Sequence, residues 1–241
     1  MFIKLYVFFI YKQIMKNKTV LVVAAHPDDD AFGCGGTIRK LANQKNKIYA
    51  MYFTDGVSAR KNDKKLKKNI INRKKNSESA SKIMGIKRCI YHSFPDNQLD
   101  KIPLLKITQK IEDQIKKIKP DIIFTHFEND LNLDHQIINR AVVTATRPKP
   151  NHKLKKILLF ETLSSTEWKF SNKAKVFNPN YFVDISKTIN HKIKSIKCYK
   201  KEVFNWPHPR SEKGVKTLAM YRGQSVGLKF AEAFQLLRDI D

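Results

Sequence analysis

The sequence predicts an α/β fold, a doubly wound and mostly parallel sheet flanked by helices. Two observations predict it. Apolar runs of strand length alternate with helix-like patterns along most of the chain, which is the signature of successive βαβ units. Polar residues also cluster directly after several of those runs, at His26, Thr54-Asp55-Gly56, His126 and Glu161-Thr162. In a parallel sheet these ends share one edge, the edge where α/β proteins bind ligands.

The elements follow in order. Val20–Ala25 reads as the first strand, and Thr37, Ile38, Leu41 and Ala42 then recur at helical spacing. Ile48–Phe53 is the second strand. The lysine-rich segment up to Met84 is a long exposed helix, stopped near Gly85. Cys89–Tyr91 forms a short strand. Leu104–Ile118 is an amphipathic helix, with Pro103 suited to its first turn and Pro120 beyond its end. Ile122–Thr125 is a strand, His135–Thr146 a helix and Ile157–Phe160 another strand. A long irregular region, a short strand at Phe182–Ile185 and helices to the C-terminus complete the expectation.

No internal repeat or interdomain linker interrupts this pattern, so residues 15–241 are expected to form one domain. Met1–Ile14 is apolar but broken by Lys4, too short to span a bilayer, and followed by a second methionine at Met15. It is expected to be a dispensable N-terminal extension. No transmembrane segment or targeting signal is recognisable.

At 241 residues the chain can bury an ample core. Its net charge of +25 comes mostly from lysines spread through segments such as Lys61–Lys68 and Lys192–Lys197. Without a nucleic-acid module or an aromatic-basic repeat, specific nucleic-acid binding is not expected. An anionic small substrate is the more economical use of the charge. Cys34, Cys89 and Cys198 form neither a CxxC pair nor a disulfide framework, which suits a reducing cytoplasm. Homo-oligomerisation stays open.

The chemistry concentrates in two segments. The first strand ends in His26-Pro27-Asp28-Asp29-Asp30. Imidazole and carboxylate together suit zinc or a similar divalent metal, and a spare carboxylate beside them can act as a base. The second segment runs Thr125-His126-Phe127-Glu128-Asn129-Asp130-Leu131-Asn132-Leu133-Asp134-His135. It places His135 at a helix start that Asn132 or Asp134 can cap, with Asp134 available as a hydrogen-bonding brace for a ligand or catalytic histidine.

His26-Pro27-Asp28-Asp29-Asp30 resembles the HPDDE motif of the PIG-L/LmbE-like family of N-acetylsugar deacetylases, and Asp134-His135 resembles the end of its HxDH-type motif. Thr54-Asp55-Gly56, Arg140-Ala141 with Thr144–Pro148, Ser164–Trp168 and Pro207–Ser211 are also similar to that family. The resemblance covers nearly everything after Met15. It implies the Rossmann-like, LmbE-like version of the fold and removal of acetyl from an N-acetylated amino sugar conjugate (a glycolipid, sugar nucleotide or sugar phosphate). It further implies His26, Asp29 and His135 as ligands of Zn(2+) or another divalent transition metal, and Asp28 as general base. The chain departs from the motif at two places. Asp30 stands where Glu is usual, and Asn132 stands where many members carry histidine. An acid or oxyanion role at that second position would pass to His208, held between Pro207 and Pro209, or to His126, with Asn132 as a neutral donor. Arg60, Arg147 and Arg210 can each meet a phosphate or carboxylate on the substrate.

Three other readings remain distinguishable. Gly33-Cys34-Gly35-Gly36 before a helix suggests a nucleotide-binding oxidoreductase, but the third glycine of the fingerprint is missing. A metal-dependent hydrolase of another amide and a non-catalytic carbohydrate-binding protein are the other two. Metal content together with acetate release separates them.

Overall fold

A computed structural model describes residues 16–60, 64–150, 153–170 and 175–241. The expected extension at residues 1–14 lies outside them. The first strand, β1 (Thr19–Ala24), has no polar residue after Thr19. Its alternate side chains enter two different cores. Val20, Val22 and Ala24 pack on one face of the sheet, and Leu21, Val23 and Ala25 on the other. A strand buried on both faces belongs at the centre of a parallel sheet covered by helices. There it sits, between β2 (Lys47–Thr54) and β4 (Ile122–His126).

The seven strands run in the order β3-β2-β1-β4-β5-β7-β6, where β3 is Arg88–Phe94, β5 Lys156–Phe160, β6 Tyr181–Asp184 and β7 Ala231–Asp239. Strands β1 to β5 pair in parallel, whereas β7 is antiparallel to both β5 and β6. On one face lie α1 (Asp29–Asn43), α2 (Leu66–Met84) and α5 (Ile189–Ile196). On the other lie α3 (Leu104–Ile118) and α4 (Leu133–Ala145). Ile107, Ile111 and Ile115 of α3, spaced by four, are the stripe that buries it. Helix α6 (Glu212–Gln224) precedes β7.

The expected elements are found with ends shifted by up to three residues (most at β3, which runs on from Tyr91 to Phe94), except at the C-terminus. There the chain ends in β7 and not in a helix. Ala231-Glu-Ala-Phe-Gln-Leu-Leu-Arg is rich in helix formers, but β5 and β6 leave a gap that only a strand can fill, and pairing on both sides overrides local propensity.

Helix α1 departs from regularity where it meets β7. It is broken at Cys34, whose φ of −141° lies outside the helical region. Past the break, the N–H groups of Gly36 and Thr37 donate to the Glu232 carboxylate of β7, at 2.9 and 2.6 Å. The buried Lys192 ammonium donates to the same carboxylate at 2.6 Å and to Phe32 O at 2.6 Å. Gly33 is needed because a Cβ there would lie 2.3 Å from the Phe160 ring. The glycines therefore serve close packing of the helix on the sheet, and the N–H groups past the break, which a phosphate would need, are taken by Glu232.

A candidate metal centre at the sheet edge

Strand β1 is followed on one side by β2 and β3, and on the other by β4 and β5. The crevice opens where that order reverses, between the carboxyl ends of β1 and β4. Residues from seven separate stretches meet there, Gly56 to Arg60 after β2 and Arg73 of α2 among them. His26 to Asp29 follow β1, Asp96 follows β3, and Asp130 to His135 follow β4. Ser164 and Ser165 follow β5, while Glu202 and Arg210 come from the loop before α6. The resulting cleft has a volume of about 300 Å³.

Its floor holds three groups within ligand distance of one another: His26, Asp29 and His135, all buried. His26 Nδ1 lies 3.1 Å from Asp29 Oδ2 and 3.2 Å from His135 Nε2. His135 Nε2 lies 3.3 Å from Asp29 Oδ1. The remaining nitrogen of His135, Nδ1, faces Asp130 Oδ1 at 3.0 Å and donates its proton there. In the neutral ring, Nε2 therefore presents a lone pair to Asp29. His26 Nε2 points to a second acidic pair, 3.1 Å from Asp96 Oδ1 and 3.5 Å from Asp134 Oδ2. With the His26 proton on that side, its Nδ1 also presents a lone pair. Two imidazole lone pairs and a carboxylate aimed at one point repel each other unless a cation lies between them, so the donor set fits a divalent metal.

The electrostatics agree. Burial disfavours charge on His135, but Asp29 and Asp130 outweigh it and raise its pKa to about 9. Burial likewise opposes charge on His26, and Asp29, Asp134 and Asp96 together raise it above its ordinary value. Burial pushes Asp29 up, while the imidazoles of His135, His26 and His126 hold it far below the usual carboxylate range. The centre is therefore a site that seeks positive charge.

Asp28 stands beside the three and takes no part in their cluster. Its Oδ2 meets Arg73 Nη1 at 2.9 Å and Arg210 Nη1 at 3.4 Å. Arg73 and Arg60 both pair with Glu202, Arg60 Nη2 at 2.5 Å. Neither Arg73 nor Glu202 stands out in the sequence. Arg73 is one arginine in a lysine-rich helix and Glu202 one carboxylate in a loop.

Asn132 lines the cleft and caps α4, its Oδ1 accepting from Asp134 N at 2.8 Å and His135 N at 3.4 Å. Asp134 accepts from the N–H groups of Asn97 and Leu99, at 2.8 and 3.0 Å, and so ties the β3 loop to the site. The carboxylate behind His135 is Asp130, which the sequence did not single out, whereas Asp134, the expected brace, stands behind His26, 3.5 Å from its Nε2. Asp130 also accepts from the Ser165 hydroxyl and from Thr166 Oγ1. Burial opposes its charge, but His135 and those two hydroxyls bring its pKa down to about 2.

Three expected site residues fall elsewhere. Arg147 follows α4 and is exposed at the opposite edge of the sheet, where the neighbouring Thr146 O accepts from Arg238 of β7. His126 is fully buried beneath the centre and stacked on His135 with centroids 3.9 Å apart. Its Nε2 accepts the Ala25 N–H at 2.9 Å, and burial, with the His135 charge, lowers its pKa to about 4. Its one ring proton, on Nδ1, faces Thr162 Oγ1 at 3.5 Å, and the ring has no exposed surface to offer a substrate. His208 does not line the cleft. Its Nδ1 accepts the Arg210 N–H at 3.0 Å, and its ring packs against Phe204. Conversely, Asp96 is a buried member of the site that sequence reasoning missed, although it follows β3 as His26 follows β1.

Known proteins share both the sequence pattern and the architecture. A family model described as PIG-L: GlcNAc-PI de-N-acetylase matches residues 21–146. The probable N-acetyl-alpha-D-glucosaminyl L-malate deacetylase 2 of Bacillus cereus is 30% identical over 191 residues, spanning 77% of this chain and 84% of the relative. A solved structure of N,N'-diacetylchitobiose deacetylase from Pyrococcus horikoshii, bound to an inhibitor, matches with a TM-score of 0.73 at 22% identity, covering 92% of this chain and 84% of that one. The 4-carboxy-2-hydroxymuconate hydratase of Pseudomonas putida matches with a TM-score of 0.71 at 20% identity, over 93% of this chain and 98% of the other. The fold alone therefore does not select one reaction.

Proposed function

Because the chain belongs to the PIG-L family, we propose that its cleft is the active site of a metal-dependent N-deacetylase acting on an N-acetylated amino sugar conjugate. The observation that carries this reading is the division of labour at the end of β1. His26 and Asp29 turn toward His135, while the adjacent Asp28 is held away by two arginines.

His26 Nδ1, Asp29 and His135 Nε2 would hold the cation, with Zn(2+) the metal such a set suits best. When bound, it polarises the acetamide carbonyl and makes an attacking water more acidic. Asp28 takes the proton from that water. Both guanidinium contacts fall on its Oδ2, so Oδ1 is the oxygen left for the proton. The water oxygen bonds to the acetyl carbon, and the C–N bond then breaks. Neither His126 nor His208 is placed to protonate the departing nitrogen. Asp28, now carrying the proton, is the group beside it that can, and this returns the carboxylate to its starting state. Acetate and the free amine leave. Asn132 Nδ2 and Arg60 line the cleft as donors for the sugar, and Arg60, the most exposed of the three cleft arginines, is the one placed to meet an anionic aglycone.

Asp28→Asn tests this assignment. Acetate release from N-acetylglucosamine conjugates should fall by about 10²–10⁴-fold, the usual range for a general base, while bound metal stays near one per chain. Loss of metal in that variant would make Asp28 a ligand and exchange its role with that of Asp29.

A further inference from the structure

The chain has only two tryptophans, Trp168 and Trp206, and both are partly exposed, at 37% and 52%, on segments that border the cleft. Two segments carry these rings. Ser164 and Ser165 line the cleft just before Trp168, and Glu202 and Arg210 line it on either side of Phe204, Trp206 and His208. The rings form a row. Phe204, 47% exposed, lies 4.3 Å from His208 between centroids, and His208 lies 5.6 Å edge-on from Trp168. The His208 ring is fixed by the Arg210 N–H that its Nδ1 accepts. Trp206 stands apart, with Lys213 Nζ 4.5 Å from its ring centre. Exposed aromatic surface next to an active cleft is costly in water unless something covers it.

We propose that Trp168, His208 and Phe204 form a second subsite that stacks the pyranose ring joined to the N-acetylated sugar, so that the preferred substrate is a disaccharide or longer glycan. This deepens the N-deacetylase reading and rests on it. The C–H groups on a pyranose face carry partial positive charge and suit the negative faces of aromatic rings. The surrounding polar groups, Arg210 and the Ser164–Ser165 turn, suit sugar hydroxyls better than an acyl chain. His208 is thereby a binding residue for the distal ring and not an acid at the reacting centre.

The tryptophans supply the probe. In Trp206→Phe, Trp168 is the sole tryptophan and its fluorescence reports the subsite directly. Titration with N,N'-diacetylchitobiose should change that signal with an affinity at least about tenfold tighter than N-acetylglucosamine, since one aromatic contact contributes on the order of a factor of ten. Adding Phe204→Ala should weaken disaccharide binding by a similar factor, with an unchanged thermal midpoint showing that the fold is intact. In the enzyme assay, the same Phe204→Ala change should lower the disaccharide-to-monosaccharide ratio of kcat/KM. Equal affinity for the two sugars, or no response to either, overturns the subsite. Tight disaccharide binding without any acetate release leaves the subsite standing and overturns the deacetylase reading instead.

Discussion

His135 uses its two nitrogens for different purposes, and its behaviour follows from that. Nδ1 gives its proton to Asp130, and Nε2 faces Asp29 and His26. Without metal its pKa stands at about 9, so a cation must displace a proton at neutral pH. Apparent zinc affinity should therefore climb as pH rises and level off above about 9, a trend that competition titration against a chelating dye would measure. A flat profile between about pH 6 and 9 would contradict the assignment. The sign of the stability effect is opposite. In the metal-free chain, the raised pKa of His135 contributes stability that is complete below the unfolded value near 6.5 and is lost as pH rises through about 9. Asp96 supports His26 from behind, at 3.1 Å. Asp96→Ala should lower metal affinity by about 10–100-fold, the usual cost of removing a carboxylate behind a ligand histidine, and unchanged affinity would remove Asp96 from the centre. The sequence made His26, Asp28, Asp29 and His135 legible because each lies in a dense motif at a strand or helix end. Asp96 sits equally at a strand end, after Phe94-Pro95, but alone, so no neighbouring residue announced it.

Among the elements, α1 and β7 depend on each other. The broken helix leaves Gly36 and Thr37 N–H groups for Glu232 to accept, and Lys192 is buried against the same carboxylate. Removing one member of a buried pair leaves the other charge uncompensated, which costs about 3–5 kcal/mol. Glu232→Ala should lose stability of that order in urea denaturation, and Glu232→Gln should lose less because the amide oxygen can still accept. A cost under about 1 kcal/mol for Glu232→Ala would place the pair at the surface in solution. Gly33→Ala should also destabilise, because the new Cβ would meet Phe160 of β5 at 2.3 Å. Elements whose burial is written in their own residues were readable, such as β1 with its apolar run and α3 with its isoleucine stripe. Strand β7 was not. Its helix-forming residues become a strand only through partners far upstream, in β5 and β6, which no local pattern encodes.

For the whole molecule, strand order decides where chemistry happens. Five parallel strands direct their carboxyl ends to one edge, and the reversal between β1 and β4 opens the crevice into which both histidine segments project. That much could be inferred from alternation and from polar residues after strands. The same logic fails for Arg147, because α4 runs back across the sheet and delivers its C-terminus to the far edge. Among the described residues no helix is long and apolar enough to cross a membrane. If the cleft hydrolyses an acetamide with the help of a cation held by His26, Asp29 and His135, activity and metal content must rise and fall together. Acetate release from a panel of N-acetylglucosamine conjugates decides this when measured before chelation, after complete metal removal and after zinc is returned. At least one conjugate should be deacetylated, with activity lost on metal removal, regained with zinc, and not regained in His135→Ala. Acetate release that continues undiminished in verified metal-free protein would contradict a metal-dependent cleft.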